Sequence, residues 1–325
     1  MEDEANRGDG QRTENANEEE IRDEKEKEEE SSREKRIGIR KKIKRKKSMA
    51  KNLSQLKMYF VNVRGIKSKI EQVRKIIKEE DPDIIGMVET MMAEKDELEI
   101  EGYKMLRNDR NEEGGGVMVA VKEKYKNIVI EVSREKDMEE SLWMVFGSRE
   151  KMRIGVVYAP QESRTIKKEL KKMYVRIEEQ LEEARKKGQS VFVMEDLNCK
   201  IGEWIEGNGV KVTKGGRLLK SLVEKNRLIV VNGTKECEGM WTRDEKGNKS
   251  VIDYILVGRE DEKRISKMKI DEGKLMTPYR VDSEKKKVYT DHNAIMVTYN
   301  WVANESERIN TNTVKAVMTK DGYER

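Results

Sequence analysis

The chain has 325 residues, room for one large domain or two ordinary ones, and 41% of them are charged against 5% aromatic. So polar a chain cannot be packed throughout, and a folded part joined to solvated, charged segments is expected. The formal net charge is +5, and no apolar run reaches the ~18 residues that a transmembrane helix needs.

Residues 1–55 are expected to be disordered. They are acidic over 2–30 and basic over 33–51, with RKKIKRKK at 40–47, and neither block has a repeating apolar face. The acidic start lacks the apolar centre of a signal peptide, so export is not expected. The basic arm reads as a phosphate-contacting segment or an import signal; the plainer alternative is a solvated tail of opposed charges.

From residue 56 the texture changes. KMYFVNV at 57–63 is a strand, 68–79 is an amphipathic helix with Ile70, Val73, Ile76 and Ile77 on one face, and Pro82 closes that unit. DIIGMVE at 83–89 is the next buried strand. Strands follow at 102–106, 116–122, 127–133, 141–147 and 152–158, with glycines 114–116 as a turn. A long helix over 165–187 stops at Gly188. After it come the strand SVFVMED at 190–196, a helix near 216–226, and strands at 228–232, 251–257, 264–270 and 292–299. Residues 302–325 form a polar tail. The strands do not alternate strictly with helices, so an α/β sandwich is expected rather than a simple doubly wound sheet.

Few residues can carry chemistry. Cys199 and Cys237 are too few for a disulfide framework or a thiolate zinc site; they read as reduced thiols of an intracellular protein, a bridge between them being the alternative. His292 is the single histidine, which excludes the usual zinc hydrolase sites. A metal must then be held mainly by oxygen, which favours Mg2+ or Mn2+. Polar residues sit at strand ends: Asn62, Glu89, Tyr158, Asp196 with Asn198, and Asp291 with His292. Asp253 lies inside an apolar strand and needs a partner, for which His292 is the obvious candidate.

The stretches NVRGI (62–66), VET (88–90), VYAP (157–160), EDLN (195–198), SVIDYILV (250–257) and TDHNAI (290–295) resemble, in order, the motifs of the endonuclease/exonuclease/phosphatase family. The likeness is greatest to endonuclease domains of LINE-type retrotransposons and their domesticated relatives. It covers 56–301 and implies a four-layer α/β sandwich, two packed mixed β-sheets flanked by helices. It also implies roles. Glu89 is the main metal ligand, with Asn62 and Asp291 nearby. Asp196 is the base for the attacking water. Asn198 steadies phosphate and base, and Tyr158 bonds a phosphate oxygen. His292, paired with Asp253, stabilises charge at the scissile phosphate.

The same residues have local alternatives. Asn62 could cap the turn before the first helix, Glu89 could be a loop residue, and Tyr158 ordinary packing. Asp196 and Asn198 could form an Asx turn, and Asp291 and His292 could be structural. Two departures from the family pattern matter. Glu195 stands where a glycine is usual and is expected to crowd the site or alter metal binding. Arg64 stands where many relatives carry an acidic residue, which argues for one metal rather than two.

The expectation is a Mg2+-dependent, monomeric, nuclear endonuclease acting on DNA, with no membrane partner. The alternatives are a family phosphatase or exonuclease with another phosphoester, and a catalytically impaired nucleic-acid-binding or interaction module. All of it requires Glu89 to lie within roughly 10 Å of Asp196 or His292, the reach of metal–oxygen bonds and one phosphate.

Overall fold

A computed structural model describes residues 53–110, 114–133, 140–161, 167–207, 209–245, 247–273, 280–281, 287–288 and 291–302. The expected acidic and basic blocks and the polar tail beyond Val302 lie outside the described residues. Apart from Leu53, the described residues belong to one compact unit, Ser54–Arg325.

Two large mixed sheets make the body. The first has seven strands. Its centre is β1 (Leu53–Asn62) parallel to β2 (Ile84–Val88), which pairs antiparallel with β4 (Val117–Lys122) and through it with the edge strand β3 (Tyr103–Asn108). On the other side of β1 lie β17 (Ile295–Val302), β14 (Ile265–Ile270) and the short β10 (Cys237–Glu238). The second sheet has six strands, in the order β5 (Val129–Ser133), β6 (Ser141–Phe146), β7 (Met152–Tyr158), β8 (Ser190–Asp196), β13 (Asp253–Gly258) and β9 (Leu228–Val230). A separate antiparallel pair joins β15 (Arg280–Val281) to β16 (Lys287–Val288).

The central strands are apolar on both faces because both faces are covered. In β1, Met58 and Phe60 face the second sheet, while Tyr59 and Val61 face outward. In β8, Phe192 and Met194 enter the core between the sheets, and Val191 and Val193 pack under helices. Helix α1 (Ile70–Glu80) covers the first sheet with Val73 and Ile76. Helix α2 (Lys167–Lys186) covers the second with Leu170, Met173, Tyr174, Ile177, Leu181 and Ala184, a stripe of helical period. Helix α3 (Lys214–Lys225) adds Leu219, Leu222 and Val223. The result is the four-layer sandwich: helix, sheet, sheet, helices.

The expected elements are present to within a few residues. Further short strands stand where no element was expected: β10, the β15–β16 pair, and β11 (Arg243–Glu245) with β12 (Asn248–Ser250), which form an antiparallel hairpin. Its two very short strands are too polar to carry an apolar alternation.

Candidate active site

Register decides which strand ends meet. Asn62 closes β1 opposite Val88 of β2, so Glu89 follows directly beside it. In the second sheet Tyr158 closes β7 opposite Asp196 of β8, and Asp253, opening the antiparallel β13, also faces Asp196. The two clusters stand at the same end of the sandwich and are joined across it. The Asn62 amide Nδ2 donates to Glu89 Oε1 at 2.9 Å and to Asp196 Oδ2 at 2.8 Å. The two carboxylate oxygens therefore lie no further apart than those two bonds laid end to end, well inside the separation that the sequence reading requires.

His292 Nδ1 lies 3.0 Å and 3.1 Å from the two oxygens of Asp253 and 3.8 Å from Asp196 Oδ2. Asp196, Asp253 and His292 each offer a ligand atom within 4.8 Å of the others. Burial opposes the imidazolium, but Asp253 and then Asp196 outweigh it and raise the His292 pKa to about 9. Burial, then the charge of Asp253, also raises the Asp196 carboxyl, against the pull of His292 and Asn62. Burial and the charges of Glu89 and Asp196 push up the Tyr158 phenol.

The local alternatives hold alongside these contacts. Asp196 Oδ1 accepts the Asn198 N–H at 3.1 Å, which is the Asx turn, and Asn62 Oδ1 accepts the Arg64 N–H at 3.0 Å, a second turn of that kind. Asn198 Nδ2 reaches back to the Ala159 carbonyl at 2.9 Å and ties together the exits of β7 and β8. Arg64, Glu89 and Asn198 all have positive φ (39°, 51° and 46°), backbone strain gathered at one place. Asn62, Asp196 and Asp253 form a buried floor; Glu89 and Asn198 are half-buried at the rim, and Arg64 is exposed.

Asp291 behaves differently from the other expected residues. Its Oδ1 takes Arg64 Nη1 at 2.9 Å and its Oδ2 takes Arg243 Nε at 2.9 Å. Burial raises its pKa, but His292, Arg64 and Arg243 together pull it down to about 2.

The expectation that Glu195 crowds the site is corrected. Neighbouring residues of a strand face opposite ways, so Glu195 points away from Asp196 into the helix-covered layer beside Tyr174, Tyr254 and Cys199.

Three supporting residues escaped the sequence reading. Thr242 Oγ1 accepts the N–H groups of Ile252 and Asp253 (3.0 and 3.1 Å), while its carbonyl accepts that of Asn293 at 2.7 Å. Asn232 bonds the Asp253 carbonyl at 3.1 Å and the Ile255 N–H at 3.0 Å. Lys69 is fully buried, and its ammonium bonds the Val63 carbonyl; burial and then Arg64 lower its pKa to about 8, against Asp291 and Glu89. Only the burial of a polar side chain marks them, and that is a property of the fold.

Residues 60–292 match the model of the "Endonuclease/Exonuclease/phosphatase family". The chain belongs to this family. The activities in its description all hydrolyse phosphoester bonds, so the endonuclease/exonuclease/phosphatase chain is a hydrolase of that class. Among the curated proteins, none matches the sequence. Solved structures share the fold. An AP endonuclease from Archaeoglobus fulgidus has a TM-score of 0.59 at 18% identity, over 75% of this chain and 99% of that one. The 3'-5' exonuclease NExo from Neisseria meningitidis has 0.60 at 13%, over 76% and 100%. The endonuclease domain of TRAS1, a telomere-specific non-LTR retrotransposon, has 0.54 at 14%, over 76% and 98%. Among the described residues, no helix is long and apolar enough to cross a membrane.

The donor set suits a hard divalent cation. Asp196, Asp253 and Glu89 crowd negative charge together until burial and mutual repulsion raise Asp196, and a cation would relieve both.

Proposed function

We propose that this protein is a magnesium-dependent endonuclease that hydrolyses the phosphodiester backbone of DNA. The observation that carries this is the Asn62 amide joining Glu89 of one sheet to Asp196 of the other, with the His292–Asp253 pair against Asp196. Glu89 would hold the cation, with Asn62 aligning the carboxylates around it. When bound, Mg2+ offsets the negative charge of the phosphodiester and of its transition state. Mn2+ has the same preference for oxygen ligands.

The chain's own residues supply the rest. Asp196 orients a water and accepts its proton as the water oxygen attacks phosphorus, while the P–O bond to one sugar oxygen breaks and that oxygen leaves with the bonding pair, to be protonated from solvent. Asn62 and His292, which favour the ionised carboxylate, keep Asp196 able to do so. The Asp253 carboxylate keeps the imidazole of His292 charged, and Nε2 donates to a phosphate oxygen where negative charge grows. Tyr158 and Asn198 hold the same phosphate from the β7 and β8 exits. The basic segment 33–51 supports contact with nucleic acid and entry into the nucleus. The NExo structures include one of a 3' phosphatase bound to product DNA hairpin, so a DNA phosphoester has a precedent on this fold.

The test is nicking of supercoiled plasmid. Wild type is expected to nick with Mg2+ and to stop with EDTA. Asp196→Ala is expected to lose about 10²–10⁴-fold in rate, and His292→Ala about a hundredfold or more, the usual range for such groups. Abasic oligonucleotide, oligo(A) and phosphoinositide complete the panel. Action on phosphoinositide alone would end the DNA reading.

A further inference from the structure

We infer that Arg64 is a substrate-contacting residue that binds a backbone phosphate beside the scissile one, and that Asp291 aims it rather than holding the cation. The inference rests on the phosphodiesterase reading above.

The loop that carries Arg64 is pinned at every step. Its own N–H is held by Asn62 Oδ1 at 3.0 Å, and Lys69 holds the preceding carbonyl, that of Val63. Gly65 and Ile66 donate to the carbonyls of Glu89 and Thr90 at 2.8 and 3.0 Å. Arg64 therefore stands at a fixed place directly beside Asn62 and Glu89. Its side chain is 52% exposed, while its guanidinium bonds Asp291, which is 9% exposed. Arg243 holds the other oxygen of Asp291, from a hairpin whose Arg243 bridges to His292. Asp291 is thus fixed between two guanidiniums.

Three points favour phosphate as what Arg64 meets. A guanidinium carries five N–H donors in a planar fork that matches phosphate oxygens. An aimed arginine binds with less loss of freedom than a loose one. Arg64 lies on a loop bonded to the Glu89 backbone, where its charge offsets part of the repulsion of an anion by the acidic floor. The Arg243 side chain is 23% exposed against 52% for Arg64, so Arg243 is the brace and Arg64 the contact. Asp291 has both oxygens committed to arginines, an arrangement suited to an anchor and not to a metal ligand.

The experiment uses the full chain and two readouts. Duplex DNA binding is followed by fluorescence anisotropy in EDTA across a salt series, and Mn2+ binding by electron paramagnetic resonance. Arg64→Gln is expected to weaken DNA binding several-fold and to reduce the slope of log K against log salt by about 0.9, the value of one phosphate neutralised. Arg64→Lys should restore the slope and only part of the affinity. Asp291→Asn should weaken DNA binding in the same way and leave Mn2+ affinity within about twofold. Thermal melting of each variant confirms that it is folded.

A tenfold or greater loss of Mn2+ affinity in Asp291→Asn, with the salt slope of Arg64→Gln unchanged, would overturn the inference. A wild type that fails to nick plasmid, while Arg64→Gln still shows the reduced salt slope, would sink the catalytic reading and leave Arg64 as a phosphate contact of a DNA-binding site with no scissile phosphate.

Discussion

Glu195 buries a whole carboxyl that the proposed chemistry does not use. Among the described residues, neither of its oxygens has a hydrogen-bond partner, and the nearby hydroxyls are engaged elsewhere, Tyr174 on Gly215 and Tyr254 on Cys199 and Val251. Burial, then the charge of Asp196, raises its pKa well above the ordinary value, so the fold favours its protonated form. The unfolded chain ionises the same group near pH 4.3. Between those two values unfolding releases a proton, so stability falls as pH rises from about 4.3 through the folded pKa. Glu195→Gln removes that titration. Its melting temperature relative to wild type should rise as the pH is taken from 5 to 8. A difference that stays flat with pH would mean that the carboxyl is ionised and paired. The facing of this residue was legible in the sequence. Strand alternation puts 195 and 196 on opposite faces, and crowding follows only if that period is not applied. The Arg64–Asp291 clamp was not legible, because its partners stand 227 residues apart and only long-range packing brings them together.

At the level of elements, the strands announced themselves through β-branched and apolar runs, and the helices through their period. What held α3 in place did not. Thr213 caps it, accepting from the Gly216 N–H at 3.1 Å, and the same oxygen accepts the Lys200 N–H at 3.1 Å. This close seating needs Gly216 bare: a Cβ there would lie 1.9 Å from the Lys200 carbonyl oxygen. Lys200 is two residues beyond Asn198, so the helix start and the β8 exit are one packed unit. Gly216→Ala, harmless by helix propensity alone, should then destabilise the protein by about 1–3 kcal/mol, the range for overpacking. Nicking by the folded fraction should fall too, as Asn198 shifts. Chemical denaturation and a single-turnover assay on one preparation read the two effects. A variant as stable as wild type would show that the loop yields freely.

The sheet order, with β17 and β14 beside β1, joins strands from opposite ends of the chain, and no local pattern encodes such pairing. The motif order conveyed more than any one motif, since six short stretches at strand ends imply one converged site only if the strands pair so that those ends meet. Charge is the other long-range property. The chain carries 69 Lys and Arg against 64 Asp and Glu, nearly balanced, yet segregated into an acidic block at 2–30 and a basic one at 33–51. Balance in the sum argues against strong binding to DNA by the chain's overall field, so a local block must supply it. Replacing the seven cations of 40–47 by Gln in the full chain tests this. If the block lies on phosphates, the slope of log K against log salt should shrink by up to about 0.9 for each phosphate no longer neutralised, and affinity should fall most at low salt. Single-turnover nicking at saturating DNA should hold, since no residue of that block belongs to the Asn62–Glu89–Asp196–His292 constellation. An unchanged slope would assign the block to import or to pairing with its acidic neighbour, and would leave Arg64 and its surroundings to carry the electrostatics of DNA binding.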